Sequence, residues 1–283
     1  MRLGLNLLVG LAISACALGP RPSAEVTGAA TLGATYVPSP AASTRPPLAP
    51  SPTTRACLLQ PGRVVSDELL DDELPRSIPF RVYVPPCYDE SSDDLPVLVM
   101  LHGLLATDRQ WLDLGIDNAA DALIARGGAP PFLMVMPWER RGLEFESAIV
   151  EHLLPHIQTA YRTTGERGRV GIGGLSRGAG WALRIGLKHP EVFGSVGLHS
   201  PAVLTPDLFY IPDWIEAMPE DRQPRLWIDV GDHDSLRVSV FELTDLLTSL
   251  GYEYEWRLDP GDHTPDYWSS HLEAYLRWYS EFW

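Results

Sequence analysis

Residues 171–180 read GIGGLSRGAG, five glycines around a single serine. Glycine costs backbone entropy on folding, so this density is expected only where the chain takes positive φ or passes close to another segment. Within it, Gly174-Leu175-Ser176-Arg177-Gly178 fits G-x-S-x-G, the pattern in which a strand turns sharply into a helix and leaves a serine hydroxyl at the apex. A hydroxyl is a weak nucleophile. To attack a carbonyl carbon it needs a neighbouring base, and the base needs an acid to fix its tautomer.

Five histidines follow Ser176: His189, His199, His233, His263 and His271. His189 precedes Pro190 where a helix should stop, His271 falls inside the last predicted helix, and His233 lies among the candidate acids. His263, in PGDHTPDYW, sits in the loop between the last strand and the last helix and is taken as the base. The acid must come from the loop after RLWIDV. Asp229 is expected within that strand, directed into packing or solvent, which leaves Asp232 and Asp234 in GDHDSL. Asp234 is taken as the acid, although its place before a helix also suits an N-cap, and Asp232 is the alternative. A developing oxyanion needs preorganised N–H donors. The backbone N–H of Arg177 is one candidate, and that of Leu104 in LHGLLA is the other. His102 and Gly103 flank the latter, with His102 expected to shape the loop rather than transfer protons.

Strand and helix signals alternate along the chain. PVLVMLHG and FLMVMP are continuous apolar runs of the kind that form strands buried on both faces. Two strands precede them, at Arg63–Leu70 and Pro79–Val84. Helices are predicted over Ile116–Ala125, Ala148–Tyr161, Gly178–Lys188 and Ser235–Leu250, and from Tyr267 onward. Further strands are predicted at RVGIGG, Ser195–Leu198, RLWIDV and YEYEWRL, and a loop at Pro201, Pro206 and Pro212. This order predicts an α/β fold, a mostly parallel, doubly wound sheet with helices on both faces and ligands beyond the carboxyl ends of the strands.

The formal net charge of −15 argues against a nucleic-acid partner, because phosphate binding relies on surplus Lys and Arg. Residues 1–15 read as an export signal, with a basic start, a short apolar run and small residues before Cys16. Ile13-Ser14-Ala15-Cys16 resembles a lipobox, which makes Cys16 the lipidated residue. The expected location is the outer face of a bacterial cell membrane, with an N-terminal lipid as the sole membrane contact. Residues 16–56, rich in Pro, Ser, Thr and Ala, read as a linker, and residues 57–283 as the folded domain. In an exported protein the two remaining cysteines, Cys57 and Cys87, are natural disulfide partners, with two free thiols as the alternative.

The stretches VYVPPCYD, PVLVMLHG followed by Trp111, HLLPHIQTAYR, GIGGLSRGAGWAL, KHPEVFGSVGLHSPAV, VGDHDSL and GDHTPDYW together resemble an esterase branch of the α/β-hydrolases. That group includes esterase D, enterochelin esterases, feruloyl esterases and mycolyltransferases. The resemblance covers nearly all of Arg63–Trp283 and implies an α/β-hydrolase fold, a Ser176, Asp234, His263 triad and a serine esterase acting through an acyl-enzyme. It implies no metal and no cofactor. Cys87 stands where many relatives carry glycine, and Arg177 is followed by only one glycine where they often have a pair. Export directs attention to an extracellular ester, either a small molecule or an acylated polysaccharide. Trp111, Trp138, Trp214 and Trp268 are candidates for stacking on sugar or phenolic rings, with packing as the other role; Trp111 and Trp268 join His102 and Gly103 as candidate substrate contacts. Two other functions remain open: acyl transfer to another alcohol, as in mycolyltransferases, and a non-catalytic cell-surface binding module.

Overall fold

The computed structural model describes residues 56–283. The expected leader, the Cys16 lipidation site and the linker up to Arg55 lie outside the described residues.

Every residue of β3 (Val97–Leu101) and β4 (Leu133–Pro137) is buried. Successive side chains leave a strand on opposite faces, so an unbroken apolar run serves two cores at once. Val97, Val99 and Leu101 pack into one core, while Leu98 and Met100 pack into the other. These strands join β1 (Arg63–Leu69), β2 (Ile78–Val84), β5 (Val170–Leu175), β6 (Ser195–His199), β7 (Arg225–Gly231) and β8 (Glu255–Asp259). The eight-stranded sheet has the order β1-β2-β4-β3-β5-β6-β7-β8. β2 is antiparallel to both β1 and β4, and all later pairings are parallel.

Helices α1 (Ile116–Ala125), α2 (Leu154–Ala160), α3 (Arg177–Lys188), α4 (Asp207–Ala217), α5 (Arg237–Ser249) and α6 (Pro265–Ser280) cover the sheet. A π-helical stretch, Ala148–Leu153, leads directly into α2. Ile116, Leu123, Leu272 and Leu276 place α1 and α6 on one face. Leu154, Ala182, Leu183, Leu243 and Leu247 place α2, α3 and α5 on the other. The expected doubly wound α/β architecture is therefore present. Strand order reverses beside β3, where Leu101 pairs with Gly174 of β5. Two loops thus emerge side by side from the carboxyl edge of the sheet, which is where such folds place a ligand.

The segment expected to be a proline-marked loop is a helix. α4 contains Pro212, which has no N–H for the intrahelical bond to the Leu208 carbonyl. Two tertiary contacts offset that loss. Ile211 and Ile215, one turn apart, are buried in the core, and buried Asp207 forms a two-pronged ion pair with Arg184 of α3. The last strand is also shorter than its sequence signal: β8 begins at Glu255, while the Tyr252 hydroxyl donates to the Pro224 carbonyl beneath the sheet edge.

Cys57 and Cys87 form a disulfide across a sequence separation of 30 residues. By chain entropy a cross-link of that span is worth on the order of 3 kcal/mol. Cys87 has φ of 64°, the left-handed region that glycine enters freely. Among the described residues, no helix is long and apolar enough to cross a membrane.

Candidate active site

Ser176 joins β5 to α3 with φ 53° and ψ −120°, a conformation that L-residues rarely take. The glycines on either side are required by space. A Cβ on Gly174 would stand 2.4 Å from the Gly178 carbonyl carbon, and one on Gly178 would stand 2.3 Å from the Leu101 oxygen. Both obstacles are backbone, so neither can swing aside. The turn is pinned by hydrogen bonds from Ser176 N–H to the His199 carbonyl (2.9 Å) and from Ala202 N–H to the Ser176 carbonyl (3.0 Å).

The three side chains expected to act together do meet. His263 Nε2 lies 2.9 Å from Ser176 Oγ, and His263 Nδ1 lies 2.8 Å from Asp234 Oδ2. With Asp234 ionised, Nδ1 carries the ring proton and Nε2 is left to accept from the serine hydroxyl. Burial alone would push the Asp234 carboxyl up. Hydrogen bonds from His263, the Leu236 N–H and the Ser200 hydroxyl outweigh it and hold the group below the ordinary carboxylate range. The Leu236 N–H bond, 2.7 Å to Oδ1, also ties down the turn before α5, but the helix begins at Arg237 with Leu236 as its cap, so Asp234 braces the approach to the helix without capping it.

Asp232 does a different job. Its Oδ1 accepts from Gly261 N–H at 2.9 Å and from His233 Nδ1 at 2.6 Å. Those bonds, the Gly261 one first, also hold its carboxyl low. It thereby clips the loop after β7 to the loop that carries His263, and it makes no contact with the imidazole.

On the oxyanion side, the Gly103 N–H is engaged by Gln110 Oε1 at 2.7 Å, which leaves the next amide, Leu104, as the available donor. His102 behaves as a loop strut. Its Nδ1–H donates to the Gly103 carbonyl (2.7 Å) and its Nε2 accepts from Glu139 N–H (2.9 Å). Burial depresses its basicity, in keeping with a neutral ring. The Glu139 carboxylate in turn forms a bidentate pair with Arg177, at 2.9 and 2.6 Å. The loops after β3, β4 and β5 are thus lashed together around the serine.

Three of the candidate substrate contacts are largely buried. Trp111 is 1% exposed and donates from Nε1 to the Leu101 carbonyl under the oxyanion loop, so it is a packing residue. Trp268 is 4% exposed; its indole meets the His263 ring edge-on at 4.9 Å and donates to Ser200 Oγ. It therefore packs behind the His263 ring. His102 is 5% exposed with both ring nitrogens occupied, and it lines the cleft beside the site as a loop strut. Trp138 lines an open cleft beside the site, and Trp214 stacks on Tyr210 along α4.

Asp229 lies within β7 and turns into packing, the first of its two expected directions. It is fully buried behind the triad, where Oδ1 accepts from His199 Nδ1 (2.7 Å) and Trp227 Nε1 (2.8 Å), and Oδ2 accepts from Tyr275 (2.8 Å) and Tyr267 (3.0 Å) hydroxyls. Burial and then the nearby carboxylate push both tyrosines well above their ordinary range, so they remain neutral donors. Gln110, Glu139 and Ser200 also support the site. None carries a local motif; their only signal is a polar residue near a strand's carboxyl end.

Residues 72–279 match the family model described as "Putative esterase". The chain belongs to this esterase family. Over 144 residues, 45% of this chain, it is 29% identical to an endo-1,4-β-xylanase/feruloyl esterase of Xylanibacter ruminicola and spans 20% of that relative's length. A ferulic acid esterase of known structure, 25% identical, superposes with a TM-score of 0.70 over 78% of this chain and 98% of its own. An S-formylglutathione hydrolase of Staphylococcus aureus, 18% identical, superposes with a TM-score of 0.67 over 77% of this chain and 99% of its own. The last likeness is one of fold. The esterase family's α/β-hydrolase architecture is the frame in which the Ser176, His263 and Asp234 geometry stands.

Proposed function

We propose that the protein is a serine carboxylic-ester hydrolase that works through an acyl-enzyme on an ester met outside the cell. The observation that carries this reading is the continuous relay from Ser176 Oγ through His263 to Asp234, with both links under 3 Å. Ser176 Oγ attacks the ester carbonyl as its proton passes to His263 Nε2, and Asp234 holds Nδ1–H and stabilises the imidazolium that results. The N–H groups of Arg177 and Leu104 receive the oxyanion. His263 then returns the proton to the leaving alcohol, and a water deprotonated by the same nitrogen releases the acid. The His263 side chain is 25% exposed, which gives substrate and water access to it. Export and attachment through a lipid on Cys16 are supported by the N-terminal sequence and belong to the same proposal.

A panel of 4-nitrophenyl esters tests it. The wild type is expected to turn over short acyl esters, and Ser176→Ala to lose about 10⁴-fold or more in kcat without a change in thermal midpoint beyond a few degrees. Activity retained in Ser176→Ala would refute the assignment.

A further inference from the structure

We propose, on the basis of the ester-hydrolase reading, that the cleft beside the oxyanion loop selects esters bearing a carboxylate, held by the guanidinium groups of Arg141 and Arg76. The cleft, of about 760 Å³, starts at the Leu104 and Arg177 end of the site and runs out along the loop after β4. Its charges can be assigned one by one. Arg177 is used by Glu139. Arg140 donates to Ser77 Oγ at 3.1 Å, lies 3.8 Å from Glu68 and stands over the Trp138 ring at 5.7 Å. Exposed Glu144 is the remaining acid in the lining. Arg141 is exposed and makes no hydrogen bond or ion pair among the described residues. The same holds for Arg76, whose Nε lies 3.6 Å from where a Cβ on the adjoining Gly142 would sit.

Arg141 thus lines the cleft and Arg76 adjoins its wall at Gly142, two guanidinium groups without a carboxylate partner in a chain whose formal net charge is −15. With acids so abundant, unpaired arginines at a cleft that opens beside Leu104 and Arg177 leave room for an acid supplied by the ligand. A guanidinium fork matches a carboxylate bidentately, which gives orientation as well as attraction. The lining of the cleft also offers apolar surface. Trp138, Trp181 and Leu143 line it, and Leu105 projects 95% exposed from a backbone with φ of 63°. The fitting substrate is a carboxylated ester with a hydrocarbon or aromatic body, its charge carried on either the acyl or the alcohol part.

Two matched pairs of esters test this at low ionic strength: 4-nitrophenyl hemisuccinate against 4-nitrophenyl butyrate, and 4-acetoxybenzoate against its methyl ester. The wild type is expected to show a higher kcat/KM for the charged member of at least one pair, and which pair responds identifies the side of the scissile bond that enters the cleft. The charged-to-neutral ratio should fall about fivefold in Arg141→Ala and about twentyfold in Arg76→Ala/Arg141→Ala. It should be restored in part by Arg141→Lys, and 0.5 M salt should compress it. Turnover of both members with a ratio that the substitutions leave unmoved would overturn the cleft assignment alone. No turnover of any ester, with no covalent labelling by a fluorophosphonate, would overturn it together with the hydrolase reading.

Discussion

Asp234→Asn is expected to lower kcat about 10⁴-fold, whereas Asp232→Ala is expected to cost no more than about tenfold. The two carboxylates are two residues apart, and both lie at the mouth of the sheet. Only Asp234 touches the imidazole, 2.8 Å from Nδ1. An amide there presents either an N–H that clashes with Nδ1–H or a weaker acceptor that no longer stabilises imidazolium. Asp232 instead braces Gly261, two residues before the base. Losing that brace loosens the His263 loop, so its effect should appear as a modest fall in kcat that Asp232→Asn partly restores. Because the folded-state carboxyl of Asp234 is held below its ordinary value, it also contributes stability. That stability is present above the unfolded-state pKa of about 3.9 and is lost as pH falls through the lower folded value. The acid side of thermal stability should accordingly flatten in Asp234→Asn. Steady-state kinetics of the three variants with one chromogenic ester check the first claim, and equal losses at positions 232 and 234 would contradict it.

The largest stability effect is expected at Asp229→Ala, which should destabilise the fold by about 3–5 kcal/mol. The wild-type carboxylate is fully buried and satisfies four donors, from His199, Trp227, Tyr267 and Tyr275. Truncation leaves all four in a site that water does not reach, and each orphaned donor costs about 1–3 kcal/mol before relaxation. The network joins the ends of β6 and β7 to α6, and the His199 carbonyl receives the Ser176 N–H. The same substitution should therefore blunt catalysis without removing a group that touches substrate. A thermal scan should show a fall in midpoint of about 6–20 °C for a domain of this size. A shift under about 2 °C would mean that the carboxylate does not organise this core.

Much of this arrangement could be read from the sequence because it rests on short-range requirements. The elbow glycines are dictated by backbone clashes within a few residues, and the two-faced strands by apolar runs that continue across both parities. His263 was accessible by position, since one loop after the last strand offered an imidazole. What escaped depends on partners far apart in the chain. Nothing near Asp229 announces that tyrosines 38 and 46 residues later will reach back to it. Trp111 and Trp268 lie near the site in the sequence, but nearness in the chain does not say which way an indole turns; both turn inward to carbonyl or hydroxyl acceptors. The α4 helix was hidden by Pro212, whose local cost is overcome by Ile211, Ile215 and the Asp207–Arg184 pair.

The most direct measurement of the central claim is peptide mapping by mass spectrometry after treatment with a fluorophosphonate. A single adduct on Ser176 is expected in the wild type, none at that position in Ser176→Ala, and labelling slowed by at least about a thousandfold in His263→Ala. An adduct on another residue, or labelling that neither substitution diminishes, would contradict a serine activated by His263.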